Sequence, residues 1–268
     1  MKIGDREFKT AGHTYVMGIL NVTPDSFSDG GRWNELDAAR KHVARMLDEG
    51  ADIIDVGGES TRPGYTLLSD EEETGRIVPV ISMIKSEFGV PVSADTYKSA
   101  VAASAIEAGA DLVNDIRGLK YDPELAGVIA ASGVPCCLMH NRNDKAYNDF
   151  MQDMLSDLRE TIDIAHKAGI ADDRVILDPG VGFGKSYENN LTAIKRMDEL
   201  KALGYPLLLG TSRKSVIGLT LDLPSDERIE GTLVTTVFAV MHGAMFVRVH
   251  DIKENVRAIK MTEAILRG

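Results

Sequence analysis

Cysteine is nearly absent. Only two occur in 268 residues, Cys136 and Cys137, and they are adjacent. Neighbours on a strand point to opposite faces, so the pair neither bridges itself nor shares a metal. A chain without disulfide pairing fits a reducing, cytoplasmic setting. Positive charge is also scarce. Lys and Arg total 30 against 41 Asp and Glu, a formal net charge of −11. Without a Lys/Arg cluster there is no footprint for a phosphate backbone, which excludes nucleic-acid binding. Long apolar runs are missing too. The longest uncharged stretch, residues 231–247, contains Thr232, Thr235, Thr236 and His242 and stops at Arg248. It is too short and too polar for a membrane span and reads as a buried helix leading into a strand. Lys2, Asp5, Arg6 and Glu7 stand where an export signal needs apolar residues, so none is expected. No Pro/Gly/Ser linker or composition break interrupts the chain, so one domain over residues 1–268 is expected.

What is present repeats. A helix-like segment closes on a glycine, and a short apolar run follows that ends in a polar residue. Gly50 precedes Ile53-Ile54-Asp55-Val56, Gly89 precedes Val90 to Asp95, and Gly109 precedes Leu112-Val113-Asn114. Gly133 precedes Cys136 to His140, and Gly169 precedes Val175 to Asp178. Gly204 precedes Leu207 to Thr211, and Gly243 precedes Met245 to Arg248. The run from Tyr15 to Leu20, ending at Asn21, adds another strand. Continuous apolar runs suit strands buried on both faces, as in a parallel sheet. The intervening segments have helical spacing, with Leu36, Ala39, Val43, Met46 and Leu47 on one face. Eight such units predict an α/β chain folded as a closed (β/α)8 TIM barrel. An open doubly wound sheet has the same periodicity and stays open as the alternative. Residues 2–13 read as a short hairpin capping the barrel bottom.

In such a barrel the strands' C-terminal ends open on one face, where chemistry sits. They read Asn21, Asp55, Asp95, Asn114, His140, Asp178, Thr211, and Arg248 with His250. Any one of them alone is more simply a helix cap or turn residue. As a set they point to a ligand with several donors, because polar groups below an apolar rim are costly without partners. Long Gly- and Pro-containing loops follow the first two strands, residues 21–31 and 57–65, and suit lids. The Gly-rich segment from Asp178 to Lys185 lacks the spacing of a dinucleotide loop, so nucleotide binding is rejected there. Phe183 in it is available to stack on a flat ligand, although a core role is equally common for Phe. Residues 210–215 read as an anion site formed by backbone N–H groups and Ser215, with Lys214 placed to donate to a carbonyl or ring nitrogen. Arg248 and His250 alternate onto one side and, with an amide on the first strand, read as a diphosphate grip. The blander alternative leaves His250 bonded to Asp251.

Taken in order, these motifs resemble the dihydropteroate synthase family. Residues 17–31, Met-Gly-Ile-Leu-Asn-Val-Thr-Pro-Asp-Ser-Phe-Ser-Asp-Gly-Gly, resemble its first signature, and Gly57-Gly-Glu-Ser-Thr-Arg-Pro-Gly64 its second. Asp95-Thr96, Asn114-Asp115, residues 178–185, Ser212-Arg-Lys-Ser215 and Arg248-Val-His-Asp251 follow in the family's order, over nearly the whole chain. The resemblance implies condensation of (7,8-dihydropterin-6-yl)methyl diphosphate with p-aminobenzoate. The products are 7,8-dihydropteroate and diphosphate, in folate synthesis.

Carried over residue by residue, Asp95, Asn114, Asp178 and Lys214 are expected to read the pterin. Thr61, Arg248 and His250 are expected near the diphosphate, with Asn21 binding Mg²⁺ as the cofactor. Phe27, Pro63, Phe183, Lys214 and Ser215 are expected to shape the p-aminobenzoate site. Asp29 and Arg62, as lid members, join Lys214 among the catalytic residues. The partners implied are the two small substrates and a second copy of the chain, docked through helices near Val237 to Met241 and the C-terminal segment. Neither nucleic acid nor membrane is implied, and sulfonamides are the expected inhibitors. The rivals are a pterin-dependent methyltransferase, which lacks the first-loop signature, and a non-catalytic pterin-binding paralogue.

Overall fold

The computed structural model describes residues 1–23, 31–59 and 67–268. Within them the eight apolar runs form eight parallel strands, each followed by helix. They are β3 (Tyr15–Asn21), β4 (Ile53–Gly57), β5 (Val92–Asp95), β6 (Leu112–Asp115), β7 (Cys136–Met139), β8 (Val175–Asp178), β9 (Leu208–Leu209) and β10 (Phe246–Val249). Two two-residue strands, β1 (Lys2–Ile3) and β2 (Arg6–Glu7), precede them as an antiparallel hairpin. The helices are α1 (Gly31–Glu49), α2 (Asp70–Glu87), α3 (Ser99–Glu107), α4 (Leu125–Ser132), α5 (Phe150–Ala168), α6 (Tyr187–Lys195), α7 (Ser215–Leu221), α8 (Ile229–Met241) and α9 (Ile252–Arg267).

The strands pair in the order β8-β7-β6-β5-β4-β3-β10-β9. The two ends meet at a parallel bridge between Leu177 and Leu207, where the Leu177 N–H donates to Pro206 O at 2.9 Å. That bridge closes the sheet into a barrel and decides against the open doubly wound alternative.

Strand alternation builds two cores from one set of runs. Residues facing out, such as Val16, Ile54, Val92, Val113, Leu138, Leu177, Leu209 and Val247, pack beneath the helices. Residues facing in at the N-terminal end form a separate apolar plug that includes Met17, Ile53, Leu112, Cys137, Ile176, Leu208 and Phe246. Ile3 and Phe8 join this plug, with the Phe8 ring 4.8 Å from Tyr15 and 5.5 Å from Phe246. The hairpin therefore caps the barrel bottom. Apolar side chains fill most of the lower half of the barrel, and among the described residues the charged inward side chains of the strands lie in its upper, C-terminal half.

One expectation is corrected. The stretch that reads as a buried helix forms α8, but Val234, Phe238 and Met241 on it are exposed. Thr232, Thr235, Thr236, Ala239 and Val240 make its buried face. Threonine hydroxyls bonded within the fold serve as the inner face here, with Thr235 bonded to Thr211 Oγ1 at 2.6 Å and Thr236 to Asn255 at 2.6 Å. The larger apolar residues face out. Among the described residues no helix is long and apolar enough to cross a membrane.

Candidate active site

Above the plug, inward positions carry Asp55, Asp95, Asn114, Asp178 and Arg248. Parity puts them there: Asp55 is two residues beyond Ile53, Asn114 two beyond Leu112, Asp178 two beyond Ile176, and Arg248 two beyond Phe246. Sheet register adds Asp95, which pairs with Asn114 on one side and Gly57 on the other.

The side chains meet. Arg248 Nε donates to Asp55 Oδ2 and its terminal nitrogen to Asp95 Oδ2, each at 2.5 Å, so one guanidinium spans two carboxylates from two strands. Asn114 Nδ2 is 3.4 Å from the same Asp55 oxygen. The side chain missing at Gly210 locates the rest. A methyl there would lie 3.7 Å from Asp178 Oδ2, 3.8 Å from Arg248 Cβ and 3.9 Å from Lys214 Nζ. Lys214 Nζ donates to Val181 O at 2.6 Å and sits 4.7 Å from the Phe183 ring centre. Tyr97, Ile116 and Met139, with Phe183 against them, form an apolar cluster beside these polar groups.

Burial tunes the charges. It pushes the Asp95 carboxyl up to about 7, against the pull of Arg248. Burial also raises Asp178 above the usual carboxylate range, opposed by Lys214. Lys214 is pushed down to about 8 by burial, with Asp178 acting against the shift. The mouth thus holds a carboxyl and an ammonium that change charge near neutral pH, a common signature of a working site.

At the rim His250 Nδ1 is 2.9 Å from Ser212 Oγ, which also accepts from the His250 backbone N–H at 3.2 Å. Ser212 thus holds the His250 ring and its backbone together. This replaces the blander reading, because Asp251 is engaged by Arg213 instead. Asn21 ends β3, the strand beside β10, with its side chain exposed. Ser215 is exposed at the start of the seven-residue α7.

Two of the strand-end residues do not join the mouth. His140 and Thr211 have the opposite parity to their neighbours Met139 and Gly210. His140 reaches back to Asp157 on α5 at 2.9 Å, and Thr211 bonds Thr235 on α8. Phe27, Asp29, Thr61, Arg62 and Pro63 lie outside the described residues. Asp55 is the residue whose part the sequence understated. Its signal was a carboxylate inside an otherwise apolar run. A further cluster joins the described segments on either side of residues 60–66, where Lys98 Nζ bonds Glu73 at 2.7 Å, Glu59 at 3.1 Å and Leu68 O at 2.8 Å.

The donor set also bears on a metal. Among the described residues no group of three or more His, Cys, Asp or Glu could hold one. Asn21 offers one neutral oxygen at an open strand end. That suits a hard cation which arrives with phosphate oxygens and keeps most of its water, as Mg²⁺ does.

Residues 17–250 match the family model described as "Pterin binding enzyme". The Clostridium beijerinckii dihydropteroate synthase is 61% identical over 268 residues, covering 100% of both chains. The chain belongs to the dihydropteroate synthases. The Clostridium difficile synthase, solved in the presence of pteroic acid, superposes with a TM-score of 0.94 at 49% identity, covering 96% of this chain and 99% of that one. The Xanthomonas albilineans synthase, solved with 4-aminobenzoic acid, gives a TM-score of 0.91 at 41% identity, covering 96% and 94%.

Proposed function

We propose that the mouth binds (7,8-dihydropterin-6-yl)methyl diphosphate and transfers its pterinylmethyl group to p-aminobenzoate, giving 7,8-dihydropteroate and diphosphate. The observation that carries this reading is the meeting of Asp95, Asn114, Asp178, Lys214 and Arg248, from five separate segments, in the upper half of one barrel. The pterin edge bears an amino group and ring N–H groups, which carboxylates accept. Its oxo group and N5 are acceptors for the donors Lys214 and Asn114. Bound there, the ring gives buried polar groups the partners that burial demands. The Phe183 cluster supplies a face for stacking.

The reaction breaks the methylene C–O bond, forms a C–N bond and frees one arylamine proton. The methylene is conjugated with the dihydropterin, so departure of diphosphate first leaves a stabilised cation. Asn21 would hold Mg²⁺ together with the diphosphate oxygens, and the ion supplies neutralisation of leaving-group charge. His250 and Arg248 add polar groups at the same end of the ligand. Arg248 stands on Asp55 while Asp95 turns to the pterin. The arylamine is a weak nucleophile and needs placement more than a strong base. Phe183, Lys214 and Ser215 border the space where it would lie. The resemblance gives Phe27 and Pro63 a share in that space and Thr61 a place by the diphosphate. It makes Asp29 and Arg62 lid members that exclude water from the cation. The apolar face of α8 is proposed as a homodimer interface.

A diphosphate-release assay tests the reading. Release should require p-aminobenzoate, slow on Mg²⁺ chelation and be competitively inhibited by a sulfonamide. Release without arylamine, or none with both substrates, would overturn it.

A further inference from the structure

The loop joining β8 to α6, residues 179–186, is the platform under Lys214. Many of its backbone polar groups are held by named partners. The Gly180 N–H donates to Asp178 and the Gly182 N–H to Asn190, each at 2.7 Å. Gly184 O accepts from the Tyr147 hydroxyl at 2.8 Å, and Val181 O accepts from Lys214 at 2.6 Å. The carbonyls of Gly180 and Phe183, which bracket Val181, both accept from Lys185 Nζ, at 2.9 and 3.0 Å. The same ammonium reaches His140 Nδ1 at 2.8 Å. Because Nδ1 accepts, the His140 proton is on Nε2, where it meets Asp157 at 2.9 Å. Arg142 holds that carboxylate from outside, at 2.6 and 3.1 Å. Asp157, His140 and Lys185 thus form a chain from helix α5 to the loop.

An ammonium has three donors, and Lys185 commits them all to one loop and one imidazole. A buried cation is costly where an apolar side chain of similar length would fill the same space. What the ammonium adds is its donors. The loop also lies directly on its neighbour, since a methyl at Gly180 would come within 1.9 Å of His140 O, and Gly180 has φ +67. No side-chain bulk can prop that contact, so the tie has to be polar.

We propose that Lys185 is a positioning residue for the reaction: by tying the Gly180 and Phe183 carbonyls to His140, it holds Val181 O and the Phe183 ring against Lys214. The proposal rests on the reading of Lys214 as a pterin contact. It has a consequence specific to Lys214. The close-packed loop helps strip water from that ammonium, and burial is the largest cause of its shift to about 8. Lys214 also faces Asp178, Arg248 and Asp95. Lys185, itself pushed down to about 7 by burial, faces Asp178, Lys214, Asp157 and Arg142. Loosening the loop admits water and returns Lys214 toward its ordinary value.

The experiment is calorimetric binding of the dihydropterin diphosphate, without arylamine, across neutral to alkaline pH. The proteins are the wild type, Lys185→Met, Asp157→Asn and Lys214→Met. The ligand's own ionisation is common to all arms. Affinity should fall about tenfold in both Lys185→Met and Asp157→Asn, and the alkaline limb set by Lys214 should move up by about one pH unit in both. A charge effect alone does not raise both. Lys185, at about 7, is largely uncharged where Lys214 titrates, so its loss moves the Lys214 value little, whereas removing the Asp157 anion lowers it. A downward or absent shift in Asp157→Asn, or no shift in Lys185→Met, would therefore overturn the proposal. If Lys185→Met does not fold, Asp157→Asn decides: an upward shift supports positioning, and a downward or absent one refutes it. Lys214→Met separates the levels. If it keeps the wild-type limb, the site reading fails and this inference with it. If it loses the limb while the other two variants match wild type, only the positioning role of Lys185 is wrong.

Discussion

Arg248 is the residue on which the charge balance of the mouth turns. Its guanidinium spans Asp55 and Asp95, and Asp55 has a second, fully buried oxygen without a hydrogen-bond partner among the described residues. Removing the cation strands two buried carboxylates, which typically costs several kcal/mol. Arg248→Met should therefore lower unfolding stability by about 3 kcal/mol at pH 8, measured by urea denaturation. The pH dependence has a definite sign. Asp95 is raised from 3.8 to about 7 on folding, so the folded state binds its proton more tightly. Stability then falls as pH rises through that window. Arg248→Met should steepen the fall and lose the Asp95 share of its penalty near pH 5, where Asp95 is protonated. An unchanged urea midpoint at both pH values would show that the bridge contributes nothing.

Much at this scale was legible, because polar residues closing apolar runs are easy to see. Which of them face inward was less so. That depends on parity against the sheet register, and a shift of one residue sends His140 and Thr211 to the outer side. The Lys185 tie was invisible, since its partners are backbone carbonyls that any residue would supply.

At the scale of elements, the apolar runs marked every barrel strand, and glycine marked helix ends. Gly169 closes α5 at φ 90, where a side chain would be strained. Lengths were less readable. β9 holds only two residues, preceded by Leu207, which makes the isolated bridge to Leu177. α8 carries the larger lesson. Composition alone marks residues 231–247 as interior, yet Val234, Phe238 and Met241 recur at helical spacing on its outer face. Met261, Ile265 and Leu266 on the adjoining α9 are exposed as well. This apolar face on adjacent helices is the one proposed above as the homodimer interface. By sedimentation the wild type should have twice the chain mass. Val234→Glu combined with Met241→Glu should give a monomer that still binds pterin. A wild-type monomer would refute the interface.

For the whole molecule, closure is what makes the site. Asp55 and Arg248 are separated by 193 positions in sequence. They meet only because β3 pairs with both β4 and β10, and because Leu177 and Leu207 seal the ring. The apolar plug then fills most of the lower half, and the charged inward side chains among the described residues gather in the upper half. Repetition of the βα unit made this architecture readable from the sequence. The meeting of particular side chains was an expectation that needed the folded chain. The most direct test is a crystal structure of the protein with the dihydropterin diphosphate bound. The account predicts the ring in the upper barrel, within hydrogen-bonding distance of Asp95, Asn114, Asp178 and Lys214, with its diphosphate toward Asn21 and His250. A ring seated anywhere else, with those four side chains touching only water, would contradict it.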